Sequence, residues 1–452
     1  MTSRTSLYSD GSVFTVACSL KSFDQEPPKK RDSFSHDESF DLAVVEFNDD
    51  GSLVDSNQRT ALTDCIACAR RSNGNGVIVV VFIHGWHHGS QWDDTHFVGF
   101  RKVLGSLALR ECERIAKKPF GRRVIGVYLA WQGVPASVPD RLRNTWLANF
   151  TFLNRYRTAQ RIGERDDLRT TIRAIVEHTK CPASGHASAL ESPLTLIGHS
   201  MGGLILETAF LALLKEDDST LSEPMSPSNS VIQVKRSGQP VSFPDVVIAL
   251  NSAADSQTTD DIIRQLERRK LEKTARSGPI SYSPPLMVSA TATDDRATKV
   301  IWRLVPGNWR RSTGGHNTSL FTHSFSAGDS GVICERKKDV PDFGQSWSCL
   351  RPPTPAREAS PTFQIDLPNR ERSAVHDGCE HTRYQLKPLN GESKLAWVFQ
   401  MPPSISAEHN DIFNTRSSLF LLALMQISGA TMSLAQNWED NFEPLLPHQS
   451  AD

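Results

Sequence analysis

The chain has 452 residues, of which 38% are hydrophobic, and its 50 Lys and Arg nearly balance its 51 Asp and Glu. This composition is typical of a folded globular protein and excludes the disordered and fibrous classes. The charge balance also gives no electrostatic basis for nucleic acid or an anionic membrane as the main partner.

The N-terminus and the apolar segments limit the compartment that we expect. The first residues, MTSRTSLYSDGSVF, contain no apolar core of a secretory signal. The longest apolar runs, Val77–Ile83 and Phe420–Met425, are too short to span a bilayer. The sequence therefore predicts a cytoplasmic protein without a transmembrane segment. A peripheral membrane contact of the apolar C-terminal helix stays open as the alternative to its burial.

Strand and helix patterns alternate from residue 42 onward. Continuous β-branched apolar runs predict strands that are covered on both faces, as in a parallel sheet. The predicted strands are Leu42–Phe47, Val77–Ile83, Val124–Ala130, Leu194–Ile197, Val246–Leu250, Leu286–Ala290 and Ala396–Phe399. The predicted helices are Asp55–Arg71, Thr95–Lys118, Arg157–Lys180, Gly203–Leu214 and Ile412–Ile427. The alternation predicts one α/β domain with a doubly wound, mostly parallel sheet flanked by helices.

Polar segments bound and interrupt this domain. The sequence predicts a polar N-terminal arm over residues 1–40, the α/β domain over residues 41–430 and a polar tail over residues 431–452. Ser- and Pro-rich inserts interrupt the domain near residues 217–244 and 324–390. Segments of that length are typical of functional covers, such as a lid over a site, or of disordered inserts.

Two short motifs suggest functions that their context opposes. Cys65 and Cys68 form a C-x-x-C inside a predicted helix, without the preceding strand of a redox motif or the second pair of a zinc site. We therefore interpret both as packing residues. The tetrapeptide GDSG at residues 328–331 copies the nucleophile motif of chymotrypsin-like proteases. That fold is all-β, which the alternating pattern contradicts, so we interpret the tetrapeptide as a turn.

The stretch LIGHSMGGL contains the pattern G-x-S-x-G, directly after one predicted strand and before a predicted helix. A tight turn from strand to helix holds a serine hydroxyl above the carboxyl edge of the sheet, where open α/β sheets bind their ligands. Gly198 and Gly202 leave room for neighbouring chain segments, and the helix N-terminus favours negative charge there. The motif predicts Ser200 as a nucleophile, and the alternative is a glycine-rich turn with a solvated serine.

A nucleophilic serine needs N–H donors for the oxyanion that develops on its substrate. The turn that carries Ser200 supplies one N–H donor, from Met201. The loop after an earlier strand supplies the other donor. The strand Val77–Ile83 runs directly into HGWHHG, where Gly85 lets the chain turn closely and Trp86 is the expected donor. The histidines of this loop suggest a metal site as the alternative. No carboxylate is spaced to complete one, so we expect no metal.

With these pieces the chain resembles the α/β-hydrolase superfamily, and within it a group of poorly characterised, lipase-like and esterase-like serine hydrolases. The matching pieces are AVVEFNDDGSLVDSNQ, VFIHGWHHGS, GVYLAWQG, RTAQRIG, LIGHSMGG, VVIALNSAAD, VSATATDDRATK and EHNDIFN. They are spread over residues 42–425, and GHSMGG and HGW are the most specific of them. The resemblance implies hydrolysis of a small-molecule or lipid ester without a metal or organic cofactor.

The same resemblance implies the partners of the serine, which follow in the order acid and then histidine. Matching VSATATDDRATK places the acid at Asp295, and Asp294 and Asp255 stay open as alternatives. Matching EHNDIFN places the histidine at His409, after the last predicted strand. The rival histidines are His316, His323 and His381.

These inferences together predict a carboxylesterase or lipase that uses Ser200, His409 and Asp295 as a catalytic triad with an acyl-enzyme intermediate. Two alternatives stay open, because a fold does not determine a function. The first is an acyltransferase or a peptidase on the same fold. The second is an inactive hydrolase-like scaffold that serves protein interactions.

Overall fold

A computed structural model gives the fold of most of the chain. It describes residues 40–73, 76–114, 122–135, 151–180, 192–221, 244–277, 285–295, 297, 316–335, 354–355, 363–368, 378–389 and 394–428. The predicted C-terminal tail, nearly all of the predicted N-terminal arm and most of the predicted first insert lie outside the described residues.

Eleven strands and seven helices are numbered here in chain order, within the described residues. The strands are β1 (Asp41–Phe47), β2 (Val77–Ile83), β3 (Arg123–Trp131), β4 (Leu194–His199), β5 (Val246–Leu250), β6 (Met287–Ala292), β7 (His323–Glu335), β8 (Thr354–Pro355), β9 (Phe363–Pro368), β10 (Gly378–Pro388) and β11 (Ala396–Met401). The helices are α1 (Ser56–Asn73), α2 (Thr95–Arg114), α3 (Phe152–Glu164), α4 (Asp166–Lys180), α5 (Met201–Leu221), α6 (Ser256–Ser277) and α7 (Thr415–Ile427).

Seven strands form the main sheet in the order β1-β3-β2-β4-β5-β6-β11, and every neighbouring pair is parallel. The chain leaves β2 toward one edge of the sheet and leaves β4 toward the other edge. The crevice outside the carboxyl ends of β2 and β4 is therefore the switch point at which open parallel sheets bind ligands. The predicted α/β class, with a mostly parallel sheet flanked by helices, is confirmed.

The two faces of the main sheet carry separate hydrophobic cores. On one face, α2 and α7 pack their buried apolar residues against alternate residues of the strands. On the other face, α1, α3, α4, α5 and α6 do the same. The central strand β2, VIVVVFI, is buried at every position because both of its faces are covered.

The described part of the predicted insert at residues 324–390 forms strands of a second sheet, although the sequence there shows little periodicity. Its role as a cover over a site stays a prediction. The strands of the second sheet are antiparallel in the order β7-β10-β9-β8. Thr322, just before β7, donates its N–H to the Val398 carbonyl over 3.0 Å, and its Oγ1 accepts the N–H of Val398 over 2.9 Å. These bonds satisfy the backbone groups of Val398 on the outer edge of β11, so the segment that leads into β7 covers part of that edge of the main sheet.

The apolar helix α7 is enclosed by protein. Every residue from Ser417 to Ile427 is buried. Apolar residues of β9 and β10 belong to the same core as this helix. Burial rather than membrane contact therefore accounts for its composition. Within the described part of the chain, no helix combines the length and the hydropathy needed to cross a bilayer.

Several predicted elements differ from the structure. The predicted helix Arg157–Lys180 is two helices, because Arg165 adopts an extended conformation between α3 and α4. The helix α6 was missed. The tetrapeptide GDSG at residues 328–331 lies inside β7, so its interpretation as a turn was wrong. Cys65 is buried and Cys68 half-buried in α1, and neither is in a disulfide bond.

Candidate active site

The predicted nucleophile lies at a sharp turn between β4 and α5. Ser200 has a φ of 55°, in the left-handed region that non-glycine residues rarely adopt. Its backbone is held on both sides, since its N–H donates to the Leu250 carbonyl and its carbonyl accepts the N–H of Ala253, each over 3.0 Å. Any Cβ at Gly202 would collide with the carbonyl oxygens that end β2, so glycine lets α5 start directly against this strand.

The structure brings three of the predicted residues into one hydrogen-bonded row. His409 Nε2 lies 2.7 Å from Ser200 Oγ, and His409 Nδ1 lies 2.9 Å from Asp295 Oδ2. Asp295 is fully buried, whereas the side chain of His409 is 15% exposed. Because a carboxylate only accepts, the imidazole proton is on Nδ1, and Nε2 is left to accept from the serine hydroxyl.

The loop that carries His409 is fixed by hydrogen bonds before α7 begins. Asn414 caps α7, accepting the N–H of Ser417 over 2.8 Å, and its amide donates to the Ile405 carbonyl over 3.1 Å. Ser417 Oγ donates to the same carbonyl over 2.6 Å. These bonds connect the start of the loop to the end of the loop, so the imidazole is presented by a closed, locally bonded segment.

Geometry separates the three carboxylates that the sequence left open. Asp295 ends a turn after β6, where its N–H donates to the Ala292 carbonyl over 3.1 Å and its side chain meets His409. Asp294 points to solvent. Asp255 caps α6, with its Oδ1 accepting the N–H of Thr258 over 2.7 Å. Among the three, Asp295 is the carboxylate that contacts the imidazole.

The rival histidines occupy other positions. His316 Nε2 lies 4.0 Å from Asp295 Oδ2, beside the acid. His323 is buried against the ring of Trp397, and burial lowers the pKa of His323 to about 3. His381 lies in β10, where it pairs with Gly331. Of the described histidines, His409 is the one hydrogen-bonded to the serine.

The loop after β2 passes directly beside Ser200. A Cβ at Gly85 would lie 3.0 Å from the Cβ of Ser200, so the close approach requires glycine. Asp94 fixes the far end of this loop by accepting from Nδ1 of His88 over 3.2 Å and from the N–H of Gly89 over 3.3 Å. The same carboxylate caps α2 through the N–H of His96 over 2.8 Å. One acid therefore joins the loop to the helix that follows it.

The two predicted oxyanion donors directly follow Ser200 and Gly85 in the chain. Met201 is the first residue of α5, where a helix leaves its N–H groups unpaired. Trp86 follows Gly85, and its side chain is held by a hydrogen bond from Nε1 to Thr151 Oγ1 over 3.2 Å. Among the described residues, no acceptor is bonded to the backbone N–H of Trp86 or of Met201.

The histidines of the HGWHHG loop have structural partners. His84 donates from Nδ1 to the Gly85 carbonyl over 2.9 Å, and its Nε2 accepts the N–H of Trp131 over 3.1 Å. Both ring nitrogens are thereby used, and burial lowers the pKa of His84 to about 4. Over the described ranges, no group of three or more His, Cys, Asp or Glu is arranged to hold a metal ion.

Two further residues contact His409, and the sequence prediction gave neither a role. His199 Nε2 and Asn251 Nδ2 each lie 2.8 Å from the backbone carbonyl oxygen of His409. His199 ends β4 and Asn251 directly follows β5, so both lie at the carboxyl edge of the sheet. Their position at the ends of two predicted strands was the one sequence signal that could have indicated a role in the site. Their shared acceptor is a backbone atom, which no residue pattern reveals.

A buried carboxyl lies in α5, the helix that follows Ser200. Glu207 in α5 is fully buried and accepts from Thr259 Oγ1 over 2.8 Å. Burial raises the pKa of Glu207 to about 7, against an ordinary value of 4.5. This group has no contact with the row formed by the serine, the histidine and the aspartate, and we assign it to the support of α5 and α6.

The comparisons with known proteins leave the site to be interpreted from its own geometry. No family model matches the chain, and no curated protein matches it. A hydroxyl bonded to an imidazole nitrogen, with the other ring nitrogen bonded to a buried carboxylate, is an arrangement that can transfer the hydroxyl proton to the imidazole.

Proposed function

We propose that the protein is a serine hydrolase that cleaves a carboxylic ester, as a carboxylesterase or lipase of the α/β-hydrolase superfamily. The observation that carries the proposal is the row of two hydrogen bonds from Ser200 Oγ to His409 Nε2 and from His409 Nδ1 to Asp295 Oδ2, 2.7 Å and 2.9 Å long. The chain order of serine, acid and histidine supports the superfamily assignment, as does the position of the serine at the switch point.

In the first half of the reaction, Ser200 Oγ attacks the acyl carbon of the ester while its proton moves to His409 Nε2. Asp295 holds the imidazole in the required tautomer and stabilises its charged form. The N–H groups of Trp86 and Met201 stabilise the oxyanion. Collapse of this intermediate breaks the carbon–oxygen bond, and the imidazolium gives its proton to the departing alcohol.

In the second half, water replaces the alcohol. His409 takes a proton from the water as it attacks the acyl carbon attached to Ser200. The bond between the acyl carbon and Ser200 Oγ then breaks, and the imidazolium returns a proton to Ser200 Oγ. The products are the carboxylic acid and free enzyme. The side chain of His409 is 15% exposed, so water reaches the imidazole.

The test is hydrolysis of p-nitrophenyl acetate, butyrate, octanoate and palmitate by the wild type and by Ser200→Ala. We expect the wild type to hydrolyse at least one ester and Ser200→Ala to lose on the order of 10⁶-fold in kcat. The matched control is Ser56→Ala, which removes an exposed serine hydroxyl at the start of α1 and is expected to leave kcat unchanged. Equal rates for wild type and Ser200→Ala would overturn the proposal.

The same assay distinguishes the proposal from its alternatives. Preference for the longer acyl chains indicates a lipase, and preference for the shorter ones indicates a carboxylesterase. Faster consumption of the ester when a second alcohol is added, with formation of a new ester, indicates an acyltransferase. Inertness of the folded wild type toward every ester and toward a fluorophosphonate indicates an inactive scaffold and contradicts the proposal.

A further inference from the structure

The backbone carbonyl of His409 accepts hydrogen bonds from two side chains. His199 donates to it from Nε2, and Asn251 donates to it from Nδ2, each over 2.8 Å. Both donors are fully buried, and both belong to the carboxyl edge of the main sheet. The imidazole that meets Ser200 is therefore attached to a backbone position held from two adjacent strands, β4 and β5.

The protonation of His199 follows from this contact. A carbonyl oxygen only accepts, so Nε2 of His199 carries the ring proton. No partner for its Nδ1 is found among the described residues, and burial together with the neighbouring His409 lowers the pKa of His199 well below its ordinary value of 6.5. The ring thus stays neutral with one fixed donor, directed at the loop of the base.

Asn251 links that loop to the turn of the acid. Its φ is 46°, a left-handed conformation that asparagine tolerates better than most residues. Its Oδ1 accepts the N–H of Ala292 over 2.7 Å while its Nδ2 donates to His409. Ala292 in turn accepts the N–H of Asp295. One amide therefore sets the spacing between the segments that carry the acid and the base.

We propose that His199 and Asn251 are positioning residues that fix the His409 carbonyl, so that its imidazole meets Ser200 and Asp295 at the same time. The inference rests on the proposed function and names the device that aligns its base. Alignment matters because a displacement of about 1 Å lowers the rate of such reactions roughly 100-fold. His199 ties the base to the strand of the nucleophile, and Asn251 ties it to the turn of the acid.

The experiment removes each donor and then restores one. His199→Phe keeps a ring but removes the donor, and His199→Gln returns an N–H donor at a similar reach. Asn251→Leu removes the other donor at a similar volume. The matched control is Asn410→Leu, which changes an exposed asparagine beside His409. The readouts are the second-order rate constant of inactivation by a fluorophosphonate and kcat and KM for p-nitrophenyl butyrate, with thermal unfolding of each variant.

We expect His199→Phe to react about tenfold more slowly with the fluorophosphonate, as loss of one hydrogen bond predicts. Asn251→Leu also loses the acceptor for the N–H of Ala292, so we expect it to react at least as slowly as His199→Phe. We expect kcat to fall in parallel while KM stays within about twofold, because positioning of the base acts on the chemical step. His199→Gln is expected to recover most of the rate, and Asn410→Leu to match the wild type. A purely structural role would lower the melting temperature without this pattern.

The results separate this inference from the proposed function. If the wild type reacts with the fluorophosphonate while folded His199→Phe and Asn251→Leu react as fast, the inference fails and the proposed function stands. Equally slow reaction of His199→Phe and His199→Gln also overturns the role of the His199 donor. If the folded wild type does not react, the proposed function fails and this inference fails with it. Should His199→Phe not fold, Asn251→Leu tests the same carbonyl.

Discussion

The main sheet and the second sheet of this protein divide two tasks. The parallel strands end at one edge, and the proposed serine, acid and base lie at or after those ends, together with both donors to the His409 carbonyl. The antiparallel sheet contributes buried side chains to the core around α7, and the segment that leads into it covers part of the edge of β11. The described second sheet supplies no member of the hydrogen-bonded row. We therefore expect substitutions at the carboxyl edge of the main sheet to change catalytic rates, and substitutions in the second sheet to change the free energy of unfolding.

The largest effect tests the reactive side of this comparison, at the acid. In Asp295→Asn the amide donates to His409 Nδ1, which moves the ring proton to Nε2 and leaves no acceptor for the serine proton. We expect kcat to fall roughly 10⁴-fold. The exposed neighbour provides the control, since Asp294→Asn is expected to keep the wild-type kcat. The measurement is hydrolysis of p-nitrophenyl butyrate, and a similar fall in both variants would contradict the assignment of the acid.

The next effect tests the stabilising side, in β10. Leu386 is fully buried in the core shared with α7, so Leu386→Ala leaves a cavity and is expected to lower the free energy of unfolding by about 2–5 kcal/mol. Leu389 lies just beyond the same strand and is 51% exposed, and Leu389→Ala is expected to change stability by less than about 0.5 kcal/mol. Urea unfolding measures both. A tenfold loss of kcat per folded molecule in Leu386→Ala would break the division between the sheets.

The smallest expected effect concerns Glu207, a buried carboxyl in α5. It tests whether a group close to Ser200 in the chain affects stability alone. Burial raises the pKa of Glu207 to about 7, above its ordinary value of 4.5. The folded protein therefore keeps a proton there that the unfolded chain releases. Its contribution to stability is complete below pH 4.5 and is lost as pH rises through 7.

Glu207→Gln removes this titration. Between about pH 5.5 and about pH 8, we expect the wild type to lose about 2 kcal/mol of unfolding free energy relative to the variant. Urea unfolding at both pH values measures the difference, which cancels the titration of the buried histidines common to both proteins. A constant difference between the two proteins across this range would show that Glu207 is ionised in the folded state.

The sequence predicted the main sheet well for a physical reason. Strands such as β2 and β5 are covered on both faces, so their apolar runs are continuous and the predicted and observed bounds agree. Among the described side chains of the second sheet, the buried apolar residues are few: Ile365, Leu367, Tyr384 and Leu386. In β10, GCEHTRYQLKP, the described buried side chains are Tyr384 and Leu386. So short an alternation does not stand out from a loop.

The residues of the candidate site differ in how far the sequence alone could predict them. The nucleophile followed from a motif between a strand and a helix, which is local information. The acid and base followed from family resemblance, and the geometry distinguishes Asp295 from Asp294 and Asp255. The roles of His199 and Asn251 were beyond prediction, because their common partner is a backbone carbonyl more than 150 residues away along the chain.

The most direct test of the central claim is to map the site of fluorophosphonate attachment. Wild-type protein is treated with the reagent, digested and analysed by mass spectrometry. The proposed row of Ser200, His409 and Asp295 predicts one phosphonate group per chain, attached to Ser200. A folded wild-type protein that carries no phosphonate, or carries it on a different residue, would contradict the account.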